Sequence, residues 1–190
     1  MNKTLIGFFT IMAFAVTRFA STASAAEPSL QKVDLFTANS DGYMLYRIPG
    51  IVVTAKGTVL AYCEARKNST SDWATIDIHL RRSTDGGKTF AETKKIALVA
   101  GPIQRHPAAL ALKLGKPDDV TYNNPVAIVD KSGAVHFLFC LEYMRCFTMK
   151  SDDDGQTWSK PVEITATFDK FKKDYDWKVL ATGPAHGIQL

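Results

Sequence analysis

The sequence predicts an all-β chain made of repeated four-stranded antiparallel units, of the kind that form the blades of a β-propeller. Three observations carry this. Between Tyr46 and Phe90 lie three strand-length runs: GIVVT from Gly50, VLAYCE from Val59 and DIHLRRS from Asp77. The turn at 55–58 and a polar loop separate them, as in a β-meander. The residues after Pro49 are echoed after Pro125, GIVVTAKGTVLAYCE against AIVDKSGAVHFLFCLE, with Gly57 matching Gly133 at the same offset of 76. Finally, the form Ser-x-Asp-x-Gly-x-Thr-aromatic occurs at Ser83–Phe90 and again at Ser151–Trp158.

In chain order, the first residues read as an export signal. Lys3 gives a basic start, Leu5 to Val16 is mostly apolar, and Ala23-Ser24-Ala25 offers a small-residue cleavage site. The apolar run is too short to span a bilayer. The expected division is therefore a leader at 1–25 and a mature domain at 26–190, secreted or periplasmic. Removing the leader takes two basic residues, Lys3 and Arg18, and no acid, so the formal net charge falls from +4 to +2. That near-balance gives no basis for a nucleic-acid partner or for an anionic membrane surface. Cys63, Cys140 and Cys146 remain, an odd number for an exported protein. Cys63 and Cys140 sit in apolar runs and read as small buried hydrophobes, and a Cys140–Cys146 bridge stays open. Cysteines and histidines show no metal-ligand spacing, and no cofactor is called for.

The turn motifs are offset by only 68, so the first copy carries eight extra residues between its second and third strands, within the loop from Arg66 to Ile76. Repeat architectures place such insertions in loops on one face, often the binding face. A meander sends its first and third connections to one end, and its second connection, with the start of the first strand, to the other. Arg47, Arg66 and Asp72 are therefore expected at one end. The turns containing Asp85 and Asp153 are expected at the opposite end, where Asp accepts from turn amides, Gly allows positive φ and the aromatic packs back. The connections 101–123 and 167–182 fall at the Arg47 end. ALALK within the first reads as a short helix or strand. Pro184 in GPAHGIQL stands where Pro49 and Pro125 stand, as if a third copy began there, so the chain is expected to be the N-terminal part of a longer protein.

From the residues alone, each candidate has a plain structural reading. Arg47 serves as a salt-bridge partner, Arg66 as a cation paired with Glu64, Asp72 as a turn residue, and Asn124 as a turn residue ahead of Pro125. Asp77 suffices as the opening of a strand. Trp73 is a loop aromatic placed to flank a substrate, and His106, His136 and His186 have no partners that the sequence names.

The combination of Tyr46-Arg47-Ile48-Pro49, Arg66 nineteen residues on, Asp72 six further, both Asp-box turns and the ATGPAHGIQL tail resembles the exo-α-sialidases (neuraminidases) of the Asp-box superfamily. The resemblance covers about Leu45 to Leu190. It implies a six-bladed propeller that removes terminal sialic acid from glycoconjugates with retention of configuration. It implies that Arg47 belongs to a three-arginine clamp on the sugar carboxylate, that Arg66 makes a further contact nearby, and that Asn124 lies near the N-acyl group. It implies that Asp72 is the general acid/base. The family's nucleophile is a Tyr assisted by a Glu; none of the six Tyr here occupies that motif, and that pair and the other clamp arginines are expected beyond Leu190. The alternatives are a silent propeller acting as a glycan-binding or interaction module, and an Asp-box hydrolase with two carboxylates and a neutral polysaccharide substrate.

Overall fold

A computed structural model of the chain describes residues 30–190; the expected leader lies outside them. Strand β1 (Leu45–Val53), β2 (Val59–Arg66), β3 (Ile76–Ser83) and β4 (Lys94–Lys95) form one antiparallel sheet in that order. Strands β5 (Tyr122–Val129), β6 (Val135–Leu141), β7 (Arg145–Ser151) and β8 (Val162–Glu163) form a second sheet with the same order. The two copies seen in the sequence are thus two blades, each closed by an outer strand of two residues that carries too little pattern to be read from sequence.

The repeat extends to the turns. Between β1 and β2, Thr54 N–H donates to Thr58 O at 2.9 Å and Gly57, at φ +83°, donates to Thr54 O. Between β5 and β6, Asp130 N–H donates to Ala134 O at 2.9 Å and Gly133, at φ +89°, donates to Asp130 O. The Asp85 and Asp153 turns also match. Each Asp accepts from the amide and the hydroxyl of the Thr four residues on, with the hydroxyl at 2.6 Å in both, while the preceding Ser hydroxyl accepts from the Gly amide at 2.8 Å. Strand register puts these turns beyond Ser83 and Ser151, opposite the Arg66 end.

The blades meet through opposite faces. Leu60, Tyr62, Ile78 and Leu80 of the first blade pack against Val135, Phe137, Phe139 and Met149 of the second. Side chains alternate along a strand, and at the offset of 76 Val135, Phe137 and Phe139 correspond to positions 59, 61 and 63, so the second blade meets the first with the face opposite to the one that Leu60 and Tyr62 present. Tyr62 joins the two: its ring centroid is 5.1 Å from that of Phe137, and its hydroxyl oxygen accepts from Ala127 N–H at 3.0 Å. Burying each such aromatic contributes about 1.5–3 kcal/mol. At the turn end, Thr58 donates to the Asp154 carboxylate and Arg82 Nε donates to Asp154 O at 2.9 Å.

Asp34–Leu190 forms one compact unit. In the long connection the helix α1 (Pro107–Ala111) resolves the ambiguous ALALK segment, with Pro107 in the first turn and the His106 ring accepting from Ala108 N–H as N-cap. Residues 181–190 carry no strand but lie along β5, where Gly183 O accepts from the Asn124 side chain at 2.9 Å and the Gln189 side chain accepts from Lys131 N–H. Cys63, Cys140 and Cys146 are all free and buried, so the open Cys140–Cys146 bridge is not formed, although the two are cross-strand partners in β6 and β7. Among the described residues no helix is long and apolar enough to cross a membrane.

Candidate active site

Arg47, Arg66 and Asp72 come together at the end of the first blade opposite the Asp85 turn. Arg47 lies in β1 opposite Glu64, and the register then shifts so that Gly50 opposes Tyr62. Two residues, Ile48, at φ +53°, and Pro49, which has no N–H to give the ladder, stand there against the single Cys63, one residue more than the ladder needs. A bulge of this kind re-aims the side chain beside it. β5 repeats the device, with Asn124 at φ +53° before Pro125.

Arg66 ends β2, and Glu64, two residues earlier, shares its face of the strand. Both are buried, which is tolerable only because they pair: Arg66 Nη2 is 2.9 Å from Glu64 Oε2. Glu64 Oε1 accepts from Asn124 N–H at 2.9 Å. Burial pushes the Glu64 carboxyl above its ordinary range, and the hydrogen bonds from Asn124 and Arg66 only partly reverse it. For Arg66, burial works against the charge, but Glu64 and Asp72 outweigh it and hold the guanidinium more firmly protonated than usual.

Asp72 sits on the 67–75 loop that follows. The loop is closed at its base by Lys67 N–H donating to Thr75 O at 3.0 Å, and its far limb is shaped by Trp73 N–H donating to the Ser71 hydroxyl. Arg66 Nη1 holds Thr70 O at 2.8 Å, while Arg66 Nη2 reaches Asp72 Oδ1 at 2.6 Å. Arg47 Nη1 approaches the same oxygen at 3.4 Å, and both of those side chains are about half exposed, at 48% and 55%. An exposed pair of this length contributes under about 1 kcal/mol. Arg66 is therefore committed to Glu64, Asp72 and Thr70, whereas Arg47 can exchange Asp72 for an incoming anion. Among the described residues Asp72 Oδ2 makes no hydrogen bond or ion pair.

The other candidates are placed less directly. Asn124 is buried, and its side chain is occupied by Gly183 O and by Asn123, so it joins the cluster through its backbone N–H alone. Trp73 packs against Tyr143 and His106, with ring centroids 4.7 and 5.2 Å apart. His106 caps α1 through Nδ1 and places Nε2 3.0 Å from Lys178 O. His136 pairs with Asp130 at 2.8 Å, and His186 is exposed. Asp77 is tied to the Tyr43 hydroxyl and Lys95 at 2.7 and 2.5 Å. Among the described residues no group of three or more His, Cys, Asp or Glu could hold a metal ion.

Two neighbours escape the sequence reading, while Glu64 enters it only as the partner of Arg66 and without its burial. Tyr143 lies beside the charges, its phenol pushed up by burial and then by Glu64 and Asp72. Arg105 donates to Trp73 O at 2.7 Å from a loop whose sequence gives no hint of it.

No protein-family model matches the chain. Over 167 residues it is 34% identical to a sialidase of Bacteroides fragilis, a match covering 80% of this chain and 30% of that protein. Over 192 residues it is 33% identical to a sialidase of Micromonospora viridifaciens, covering 90% of this chain and 27% of that one. Among solved structures, the Hadza microbial sialidase Hz136 aligns with a TM-score of 0.61 and 30% identity, over 80% of this chain and 32% of that one. The chain spans no more than 32% of any of these three relatives. With sequence and fold agreeing over four fifths of its residues, the chain is a homologue of the sialidases, matching part of their length.

Proposed function

We propose that Arg47, Arg66 and Asp72 are the first-blade share of the pocket of an exo-α-sialidase, which hydrolyses terminal sialic acid from glycoconjugates with retention of configuration. The observation that carries the reading is that both guanidinium groups rest on one Asp72 oxygen, Oδ1, at 2.6 and 3.4 Å. The second oxygen is left to face a glycosidic oxygen, with an anion-binding cation beside it.

In this reading the substrate carboxylate takes Arg47 from Asp72, since a planar guanidinium presents parallel donors to both carboxylate oxygens. Asp72, still fixed through Oδ1 by Arg66, protonates the departing oxygen and later activates water. Arg66 acts as the support of the acid. The Asn124 N–H on Glu64 completes that support, and the reading assigns Asn124 to the neighbourhood of the N-acyl group on the resemblance alone. The Tyr nucleophile, its Glu and two further clamp arginines are assigned to parts of the relatives' fold that these residues do not supply, and the 190 residues alone are expected to be inactive. The leader at 1–25 would take the protein out of the cytoplasm, to the secreted or periplasmic side.

The test is Arg47→Ala in the intact protein carrying the remaining blades. Losing the clamp cation should lower kcat/KM for a sialoside by about 10³-fold or more, because the charge is neutralised where the transition state forms. Unchanged cleavage would overturn the role of Arg47 as the clamp cation, and a wild-type protein that cleaves a neutral polysaccharide but no sialoside would favour a two-carboxylate hydrolase.

A further inference from the structure

The loop carrying Asp72 is held by the connection that leads into the second blade. Four consecutive residues after Asp72 are each gripped by the segment 105–121. Arg105 Nη2 donates to Trp73 O at 2.7 Å, and the Thr121 hydroxyl donates to Ala74 O at 2.7 Å. The Thr75 hydroxyl donates to Asp119 Oδ1 at 2.6 Å, and Ile76 N–H donates to Val120 O at 3.0 Å. Gly115 makes room for this, because a Cβ there would lie 2.3 Å from Trp73 O.

Arg105 is the anchor of the grip, and Glu142 anchors Arg105. Both Glu142 oxygens lie on Arg105 Nη1, at 2.9 and 2.8 Å, and they also accept from Thr121 N–H at 2.7 Å and His106 N–H at 3.2 Å. Glu142 is 0% exposed. In the three-residue connection between β6 and β7 it is, with Tyr143, at the centre of the turn closed by Met144 N–H donating to Leu141 O, at φ +56° and +52°, a conformation that selects Gly or Asn. Non-glycine residues persist there only when their surroundings over-determine them, and Glu142 has four such hydrogen bonds.

We propose that Arg105, locked by Glu142, is a positioning residue for the Asp72 carboxyl, so that acid delivery from the first blade is set by the second. This rests on the reading of Asp72 as the acid. Arg105 touches no reacting atom in this scheme; it fixes the carbonyl of the residue next to Asp72.

The test compares Arg105→Lys, Arg105→Met and wild type in the intact protein by two readouts. By hydrogen exchange, Arg105→Met should open the amides of 73–76 about tenfold faster while the Ser151–Trp158 turn stays protected. By kinetics, it should lower kcat/KM for a natural sialoside at least about tenfold more than for an aryl sialoside with a good leaving group, which needs less protonation. Arg105→Lys should recover part of both. Exchange that rises equally in both sheets, or equal kinetic losses on both substrates, would show a merely structural residue and overturn the proposal. A wild-type protein that cleaves neither sialoside would overturn the reading of Asp72 instead, leaving the exchange result to decide whether Arg105 holds the loop.

Discussion

Asn124 donates its backbone N–H to the Glu64 carboxylate across the blade interface, at 2.9 Å. The bulge of the second blade and the buried ion pair of the first are thus one structure, and the direction of the Glu64 shift gives it a pH signature. A carboxyl pushed up in the folded state binds its proton more tightly there than in the unfolded chain. Its contribution to stability is therefore greatest below the unfolded value and is lost as pH rises through the folded one. Glu64→Gln should remove that slope, so the gap between wild type and variant narrows from about pH 4.5 upward. Glu64→Ala, which leaves Arg66 and the Asn124 N–H short of a partner, should cost about 3–5 kcal/mol. Denaturant melts across pH measure both; parallel curves for wild type and Glu64→Gln would contradict the account.

Asp153 behaves in the opposite sense. Hydrogen bonds from Thr157, through its hydroxyl and its amide, and from Ser151 hold its carboxyl down to about 2. Its stabilisation is present above the unfolded value and is lost as pH falls through about 2. Asp153→Asn should lower Tm at neutral pH, and the wild-type Tm should converge on that of the variant below about pH 4. Thermal melts between neutral and acid pH test this, and a Tm gap as large at about pH 2 as at neutral pH would contradict it.

Ile48 is a β-branched residue at φ +53° before a proline, a combination that costs about 1–3 kcal/mol. Ile48→Gly should leave stability within about 1 kcal/mol, because relief of strain offsets the lost side chain and the freer unfolded chain. It should raise KM for a sialoside, since the bulge that aims Arg47 is loosened. A large stability loss with KM unchanged would mean that the Ile48 side chain matters and its backbone geometry does not.

Gly50 passes under the Tyr62 ring, and a Cβ there would come within 2.2 Å of it. Tyr62 cannot yield freely, being fixed by Ala127 N–H and Phe137. Gly50→Ala should destabilise by about 1–3 kcal/mol. In a double-mutant cycle with Tyr62→Leu, which removes the ring, the losses should be clearly less than additive. Additive losses would place the cost of Gly50→Ala elsewhere.

The parts of this architecture legible in the sequence are those written in periodic or paired form. The apolar strand-length runs GIVVT and VLAYCE, the two turn motifs and the matched prolines placed both blades, and meander parity put Arg47, Arg66 and Asp72 at one end. The outer strands Lys94–Lys95 and Val162–Glu163 were not legible, because two residues carry no period. Nor was the Arg105–Glu142 anchor, since it joins residues 37 positions apart through a turn whose conformation Glu142 and Tyr143 do not advertise. Arg66 is a mixed case. Its pairing with Glu64 followed from the spacing, but its burial did not, because an arginine at a strand end ordinarily faces water.

The most direct measurement on the acid is a leaving-group comparison. Asp72→Asn, in the intact protein, keeps the shape that rests on Arg66 and Arg47 but cannot deliver a proton. It should abolish cleavage of natural sialosides, while the fraction of wild-type rate kept on an aryl sialoside with a good leaving group is at least about 10²-fold larger than that kept on a natural one. If both substrates lose activity to the same degree, Asp72 is not the proton donor, and the meeting of Arg47 and Asp72 on one oxygen has another purpose.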